Sequence, residues 1–472
     1  MDNIYIRQKL NEIPFLKVLS QLAKHNNIKI YLVGGFVRDL ILNYQRNDID
    51  ILVIGNGPQF ARKSAKELKA KNLTVFKNFG TAHFKFGNYE VEFVGARKES
   101  YERNSRNPIV EDGTFDDDIN RRDFTINAIA ISLNEDDYGS VIDKFNGIQD
   151  INDKIIRTPV DPLITFNDDP LRIMRAFRFA SQLEFEVHES VMIAANQLRE
   201  RLKIISQERI TDELLKIIES KKPSIGLKLL YYSGVLEIVF PELHKLAGVE
   251  QRKDYHHKDV FFHTCEVVDN IASNTENVWL RFAALVHDIA KPNTKKFVEG
   301  AGWTFHGHEE IGARMVKGIF KKLKLPFHKI EYVEKLVRLH LRPIALANEE
   351  VTDSAIRRLI VQAGDALDDL ITLCRADITS KNIQRVERYL ENYNLVMQKV
   401  KEVEEKDKLR AFQSPVRGDE IMQVCNIPPG RKVGLIKTEI EEAILDGVIP
   451  NTYEAAYDYL LKIKDKYLNS EQ

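Results

Sequence analysis

The texture of the chain changes partway along, and that change limits its fold more than any other feature. Up to about Pro170, short apolar runs alternate with helical spacing: IKIYLVGG, VRDLILN, DIDILVIG, a helical pattern over 58–71, VEFVGAR and INAIAISL. Strand-like runs alternating with helical ones make a small α/β unit. Beyond that point apolar residues recur at three- and four-residue steps, as in LRIMRAFRFASQL, ERITDELLKII and VWLRFAALVHDIA, so the rest of the chain is expected to be helical. KKPS, PELHKLAG, KPNT and LRPIALAN read as breaks between helices, and ENYNLVMQKVKEVEEKDKLR reads as a charged, solvated helix. Between Arg97 and Asp118 the polar KESYERNSRNPIVEDGTFDDD carries little periodicity and is expected to be a mobile loop near a site.

Composition narrows the function classes. At about 150 residues per domain, 472 residues make roughly three domains. Lys and Arg (69) nearly cancel Asp and Glu (70), which excludes a wholly basic nucleic-acid coat but not a local basic groove. Three dispersed cysteines, Cys265, Cys374 and Cys425, form no CxxC, so neither a disulfide framework nor a cysteine zinc site is expected. A reducing, cytoplasmic setting fits that usage. The opening MDNIYIRQKLNEI lacks the apolar stretch of a signal peptide, and no run approaches the ~18 apolar residues of a membrane span.

Asp48 and Asp50, two apart on a strand, point to one face. Paired acids repel unless a cation lies between them, and Mg²⁺ suits hard oxygen ligands beside phosphates. Alone, such a pair is more simply two solvated acids at a strand start. Upstream, Gly34-Gly35-Phe36-Val37-Arg38-Asp39 follows a strand, where glycines let backbone approach a phosphate and a helix N-terminus favours anions. Downstream stands Arg121-Arg122-Asp123-Phe124-Thr125-Ile126-Asn127.

GGFVRD, DID, RRDFTINA and DDPLRIMRAFRF occur in the order and spacing of the bacterial-type (class II) CCA tRNA nucleotidyltransferase and poly(A) polymerase family, which the chain resembles over about the first 245 residues, SQERITDELLKII and VLEIVFPEL included. The resemblance implies a polymerase-beta-like nucleotidyltransferase head in which Asp48 and Asp50 hold catalytic Mg²⁺. A third carboxylate is expected on a neighbouring strand, Glu92 before Glu90. Gly34, Gly35 and Arg38 would contact the triphosphate. Arg121, Arg122 and Asp123 would hold triphosphate and ribose, with Asn127 nearby. Asp169 and Arg172, with Arg175 and Arg178 behind them, would read the base of CTP or ATP. A carboxylate accepts from an exocyclic amine and a guanidinium donates to a ring nitrogen or carbonyl. The family usually has Glu-Asp before this helix; this chain has Asp168-Asp169, and no role is carried over to Asp168.

His263, His287-Asp288, His308, His340 and Asp377 form a second pattern. An adjacent His-Asp pair inside an apolar helix is costly unless paired or metal-bound. Imidazole with carboxylate suits Mn, Fe, Ni or Zn. The pattern resembles the HD phosphohydrolase superfamily over about 250–380, with His263, His287, Asp288 and Asp377 as core ligands and His308 and His340 at second-metal positions. His256, His257 and His306 lie off the pattern. Lys291 is expected either to steady a leaving oxyanion or to cap a helix end.

The expected fold is α+β and multidomain: a nucleotidyltransferase head (1–150), a helical neck with base-recognition and RNA-binding segments (151–245), an HD domain (246–380) and a helical C-terminal region (381–472). The expected function is addition of CCA, or part of it, to tRNA 3′ ends from CTP and ATP. Expected partners are tRNA and the two nucleotides, with no membrane. The alternatives are a poly(A) polymerase, a CC- or A-adding enzyme, an HD phosphohydrolase with a vestigial head, and a non-catalytic RNA scaffold. Arg199, Arg201, Lys203, Lys221 and Lys222 form the expected RNA track, and the resemblance to HD-bearing relatives implies a 2′,3′-cyclic phosphate on a damaged RNA end as the HD substrate.

Overall fold

In the strand β2 (Asp48–Val53), Ile49, Ile51 and Val53 alternate with Asp48, Asp50 and Leu52, so one face is wholly apolar and the other starts acidic and ends apolar. The rest of the head follows from how each face is covered. The structure is a computed structural model that describes residues 3–76, 80–100, 109–249, 259–299, 302–348, 352–380, 382–407 and 414–468. It divides into two compact units, Met1–His244 and Lys245–Gln472.

In the first unit, β2 lies inside a seven-stranded sheet with β1 (Ile30–Val33), β3 (Lys71–Phe76), β4 (Thr81–Phe86), β5 (Tyr89–Gly95), β8 (Ala130–Ser132) and β9 (Val141–Ile142), in the order β3-β4-β5-β2-β1-β8-β9. β2 and β5 run parallel, and the other neighbouring pairs run antiparallel. The helix Gly57–Glu67 covers the apolar face, burying Phe60, Ala61, Ser64 and Ala65, with Phe60 edge-on to Phe93 at 5.9 Å. On the acidic face Leu52 packs with Tyr31, Val33, Ile119, Ala128 and Ala130. That patch lays the helix Phe115–Asn120 and the turn after it beside the acidic end of β2.

The polar stretch 97–118 is not a loop throughout. β6 (Arg97–Ser100) and β7 (Ile109–Asp112) pair as an antiparallel hairpin, and Thr114 with Asp117 forms a capping box that starts the helix Phe115–Asn120. Residues 101–108 lie outside the described residues. The remainder of this unit is helical, except that β10 (Ile155–Ile156) pairs with β11 (Glu186–Val187). The helix Leu171–Leu183 packs against Gln207–Ile218 and Pro223–Tyr232 through buried Met174, Phe177, Leu214, Ile217 and Leu227.

The second unit is helical but for a hairpin of β12 (Lys296–Val298) and β13 (Gly302–Thr304), which corrects the expectation of helices alone beyond Pro170. The prolines expected as breaks mostly open helices: Pro223–Tyr232, Pro241–His244, Lys291–Thr294 and Arg342–Asn348. Proline suits the first turn, where its missing N–H has no partner to lose. The charged helix Ile383–Asp407 is not solvated all round; Tyr393, Val396, Val400 and Val403 form a buried seam at helical spacing. The last three helices, Gly418–Cys425, Arg431–Leu445 and Tyr453–Leu468, share their own core around Ile421, Ile440 and Leu460. Among the described residues no helix is long and apolar enough to cross a membrane.

Two candidate functional sites

Parallel pairing of β2 with β5 sets Asp48 beside Glu90 and Asp50 beside Glu92. Across a parallel pair, registered residues share a face, so Glu92 joins the two aspartates. Glu90 pairs with Lys85 at 2.6 Å and faces solvent. Burial pushes the Asp50 carboxyl up to about 6; Arg122 opposes the shift while Glu92 adds to it. Asp48 is 59% exposed. Three oxygen donors on adjacent positions fit a hard divalent cation that would share them with phosphate oxygens.

Gly34 sits at the turn into the helix Gly35–Ile41 with φ of 74°, and a Cβ there would lie 2.9 Å from Asp50 Oδ2. Glycine is therefore required twice, by conformation and by space. A Cβ on Gly35 would lie 2.8 Å from Arg46 Nη1. Arg46 was not singled out from sequence. It donates to Asp39 at 2.9 Å and lies 3.5 Å from Asp48.

Arg121 and Arg122 are held by one fully buried carboxylate, Asp118, whose Oδ2 accepts from Arg122 at 2.9 Å while Oδ1 meets Arg121. Arg122 Nε is buried without an acceptor. Arg38 donates to Asn127 Oδ1 at 3.0 Å, Asn127 donates to Asp123 Oδ1 at 3.1 Å, and Arg175 donates to Asp123 Oδ2 at 2.9 and 2.5 Å. Burial alone would raise Asp123, but Arg175 and Asn127 hold it down at about 2. Both Asp123 oxygens thus serve the chain itself, as a strut between the head and the helix Leu171–Leu183.

The arginines of that helix have different partners. Arg172 donates to the Arg121 carbonyl at 2.7 Å. Arg178 donates to buried Glu213 at 3.0 Å. Arg38, Arg175 and Arg178 place their guanidiniums 5.1, 5.4 and 4.3 Å from the Phe179 ring centre. Asp169 accepts from the Leu171 N–H at 3.1 Å and lies 3.6 Å from Arg209. Of the expected RNA track, Arg199 and Arg201 are half-buried and donate to the carbonyls of Asn196 and Asn167, while Lys203, Lys221 and Lys222 are exposed.

The second unit brings the six other residues together. His263 Nε2 lies 2.9 Å from Asp377, His287 Nε2 lies 3.2 Å from Asp288 and 3.4 Å from Asp377, and His308 Nε2 lies 3.2 Å from Asp288. His340 Nε2 is 3.3 Å from His308 Nε2 and 4.0 Å from Asp288. Each Nδ1 is anchored outward: His287 to the Ala284 carbonyl at 2.7 Å, His308 to Phe305 at 2.8 Å, His340 to Val337 at 2.6 Å, and His263 to the Thr379 hydroxyl at 2.9 Å. A carbonyl fixes the proton on Nδ1 and turns Nε2 inward as a lone pair.

Two triads, His263-His287-Asp288 and Asp288-His308-His340, have all their ligand atoms within 4.8 Å of one another. His287 Nε2 and Asp288 Oδ2 are buried and close yet form no hydrogen bond of proper angle, which fits two lone pairs aimed at a shared cation. Against its burial, and with no cation between them, Asp288 and Asp377 lift His287 to about 10, and burial with the His287 charge holds His340 at about 3; a cation bound at His287 Nε2 would displace that proton. The two carboxylates stay far below their usual range through the histidines and Lys291. Lys291 Nζ lies 2.7 Å from Asp288, so it belongs to the cluster. His306 is exposed, and His256 and His257 lie outside the described residues.

Carboxylates on a parallel strand pair facing guanidiniums define a nucleotidyl-transfer head, and the histidine–aspartate cluster defines an HD-type helical unit. The comparisons with known proteins agree. Residues 30–157 match the poly A polymerase head domain, 184–246 the probable RNA and SrmB- binding site of polymerase A, and 255–370 the HD domain. The "Multifunctional CCA protein" of Mannheimia succiniciproducens is 30% identical over 368 residues, 74% of this chain and 84% of that protein. The "A-adding tRNA nucleotidyltransferase" of Aquifex aeolicus is 35% identical over 274 residues, 58% of this chain; the chain spans about a third (32%) of that relative. A tRNA nucleotidyltransferase solved with a primer tRNA and an incoming ATP analog is 25% identical, with a TM-score of 0.58 over 80% of this chain and 99% of the other. The Thermotoga maritima CCA-adding enzyme complexed with tRNA shares the fold, with a TM-score of 0.60, 22% identity and 96% of each chain covered. The chain belongs to the tRNA nucleotidyltransferase and poly(A) polymerase family.

Proposed function

We propose that the first unit adds CCA, or part of it, to the 3′ end of tRNA from CTP and ATP. The observation that carries this is the register of Asp50 with Glu92, which makes a carboxylate column beside the Gly34 turn and the Arg122 guanidinium. Mg²⁺ held by Asp48, Asp50 and Glu92 would supply Lewis acidity at the reacting phosphate. The chain's own residues do the rest. Arg122 and Arg121, fixed by Asp118, neutralise triphosphate charge. The Gly34 turn lets the nucleotide lie against the carboxylates. Asp169 and Arg172 stand at the start of the helix whose struts tie it to the head, and they present an acceptor and a donor to the base edge. In this reading residues 1–150 are the head, 151–245 the neck, 246–380 the HD domain and 381–472 a helical tail, and the protein works in the cytoplasm. The test is incubation of tRNA lacking its 3′ end with CTP, ATP, UTP and GTP, separately and paired, and sequencing of the product ends. CTP and ATP together give CCA; addition of A alone, of C alone, or of long A tracts would identify the A-adding, CC-adding or poly(A) alternative.

The inward-facing imidazoles favour a second activity. His263, His287, Asp288 and Asp377, with His308 and His340, fit Mn, Fe, Ni or Zn, which would supply Lewis acidity and an activated water for phosphoester hydrolysis. The carboxylates set the cation charge accepted, and the Nδ1 anchors hold the imidazoles in place. Stripped protein reloaded with Mn²⁺, Ni²⁺ or Mg²⁺ should hydrolyse a generic phosphodiester or a 2′,3′-cyclic phosphate, and Asp288→Ala should not. Equal background from both proteins would leave this unit as scaffold.

A further inference from the structure

Between two residues of the histidine–aspartate cluster, Asp288 and His308, the chain leaves the helical unit as the hairpin β12–β13. Its strands are three residues each, too short to bury a core of their own. Even so it carries Phe297 at 55% and Val298 at 44% exposure. Phe297 and Trp303 are registered partners and share a face, with ring centres 5.3 Å apart and planes at 76°. Lys295 lies over the Trp303 ring at 4.5 Å, and Lys291 lies 5.7 Å from the Phe305 ring centre. Lys291 is also 2.7 Å from Asp288, and the Phe305 carbonyl anchors His308. The row of rings and ammonium groups thus starts on the open hairpin and ends on the cluster. Over Lys291–Thr304 three lysines stand against one acid, Glu299.

Rings interleaved with cations bind single-stranded nucleic acid, because every base offers a π-face and every linkage a phosphate. We infer that this hairpin face is the polynucleotide platform of the second unit. It stacks a base of a single-stranded RNA end on the exposed Phe297 ring, which Trp303 backs edge-on, while Lys295 and Lys291 meet the phosphates. This rests on the hydrolase reading for its chemistry but not for its binding, and the two are measured separately.

The chain has two tryptophans, and Trp279 packs against Phe282 and Phe320, so Trp279→Phe leaves Trp303 as the only emitter. In that background, titration with a single-stranded RNA oligonucleotide should quench Trp303 in a salt-dependent way, and adding Phe297→Ala should weaken the quench midpoint about tenfold. If anisotropy shows RNA bound while Trp303 emission stays constant, the platform is wrong. An equal quench by poly-glutamate would also overturn it, by showing charge attraction without stacking. In the activity arm, Phe297→Ala should lower the ratio of kcat/KM on a cyclic-phosphate-ended oligonucleotide to that on bis(p-nitrophenyl) phosphate by about tenfold. A parallel fall on both substrates overturns the platform. Absence of hydrolysis by the wild type overturns the hydrolase reading, and the fluorescence arm still decides the hairpin.

Discussion

The carboxylate column of the first unit and the histidine–aspartate cluster of the second are both candidate cation sites, yet they are built oppositely. In the first, Asp48 is 59% exposed and the three acids stand side by side along two strands. In the second, His287 and Asp288 are almost wholly buried and the donor atoms within each of the two triads already lie within 4.8 Å of one another. A sheet spaces its side chains by strand geometry and presents a row. Helices crossing around a common centre point their side chains inward and make a cage. A row needs a further ligand to close it, and in the proposed reaction nucleotide phosphates would supply that ligand. A cage of this kind would hold an ion before substrate arrives. The rigidity of the open site therefore lies behind it, in the chain from Arg38 through Asn127 and Asp123 to Arg175.

The largest effect should be a clean separation of the two sites. Asp50→Ala should lower nucleotide addition at least about a thousandfold, since several kcal/mol of charge stabilisation go with the cation. It should leave phosphoester hydrolysis intact, and Asp288→Ala should do the reverse. Loss of both activities in either variant would break the comparison.

Next in size is the anchor that ties the helix Leu171–Leu183 to Gln207–Ile218. Arg178 and Glu213 are a buried pair, with side chains 9% and 5% exposed. Glu213→Ala leaves a buried guanidinium uncompensated and should cost about 3–5 kcal/mol in urea unfolding. The double variant Arg178→Leu/Glu213→Leu should recover most of that loss. If Glu213→Ala is nearly neutral, the pair does not anchor the helix.

A smaller effect distinguishes Asp123. Its folded pKa is depressed to about 2 from 3.8, so its contribution is fully present above pH ~4 and is lost as pH falls toward ~2. The stability gap between wild type and Asp123→Asn should therefore be about 2 kcal/mol at neutral pH and should shrink between pH ~4 and ~2. A gap independent of pH would mean that Arg175 does not hold this carboxylate as an anion.

Smallest is the change in base choice. Arg172→Ala should lose roughly tenfold in discrimination of CTP and ATP over UTP and GTP, about the value of one hydrogen-bonded edge. Because Arg172 also donates to the Arg121 carbonyl, overall addition should slow as well. Equal slowing with all four nucleotides would place base reading elsewhere.

Several of these residues were legible in the sequence for physical reasons. A two-residue period puts Asp48 and Asp50 on one face with no knowledge of the sheet. Asp118 stands three and four residues before Arg121 and Arg122, a helical spacing that could have revealed it. Tyr393, Val396, Val400 and Val403 are also spaced for a buried seam, but the surrounding charge outweighed them. Other features depend on tertiary pairing. Glu92 could be proposed but not registered against Asp50 until β2 and β5 paired. Arg178 meets Glu213 35 residues away, and no local pattern announces it. The hairpins at 97–112 and 296–304 use strands of three or four residues, whose period is too brief to read.

The cage should take its ion before substrate arrives, and the row should take its ion only together with nucleotide. Mn²⁺ binding, followed by electron paramagnetic resonance with and without a non-hydrolysable CTP analogue, tests this most directly. Without nucleotide, tight binding should be confined to sites lost in Asp288→Ala. Adding the analogue should create further tight binding that Asp50→Ala abolishes and Asp288→Ala does not. Equal tight binding at the Asp50 site with and without nucleotide, or no binding that depends on Asp288, would contradict the account.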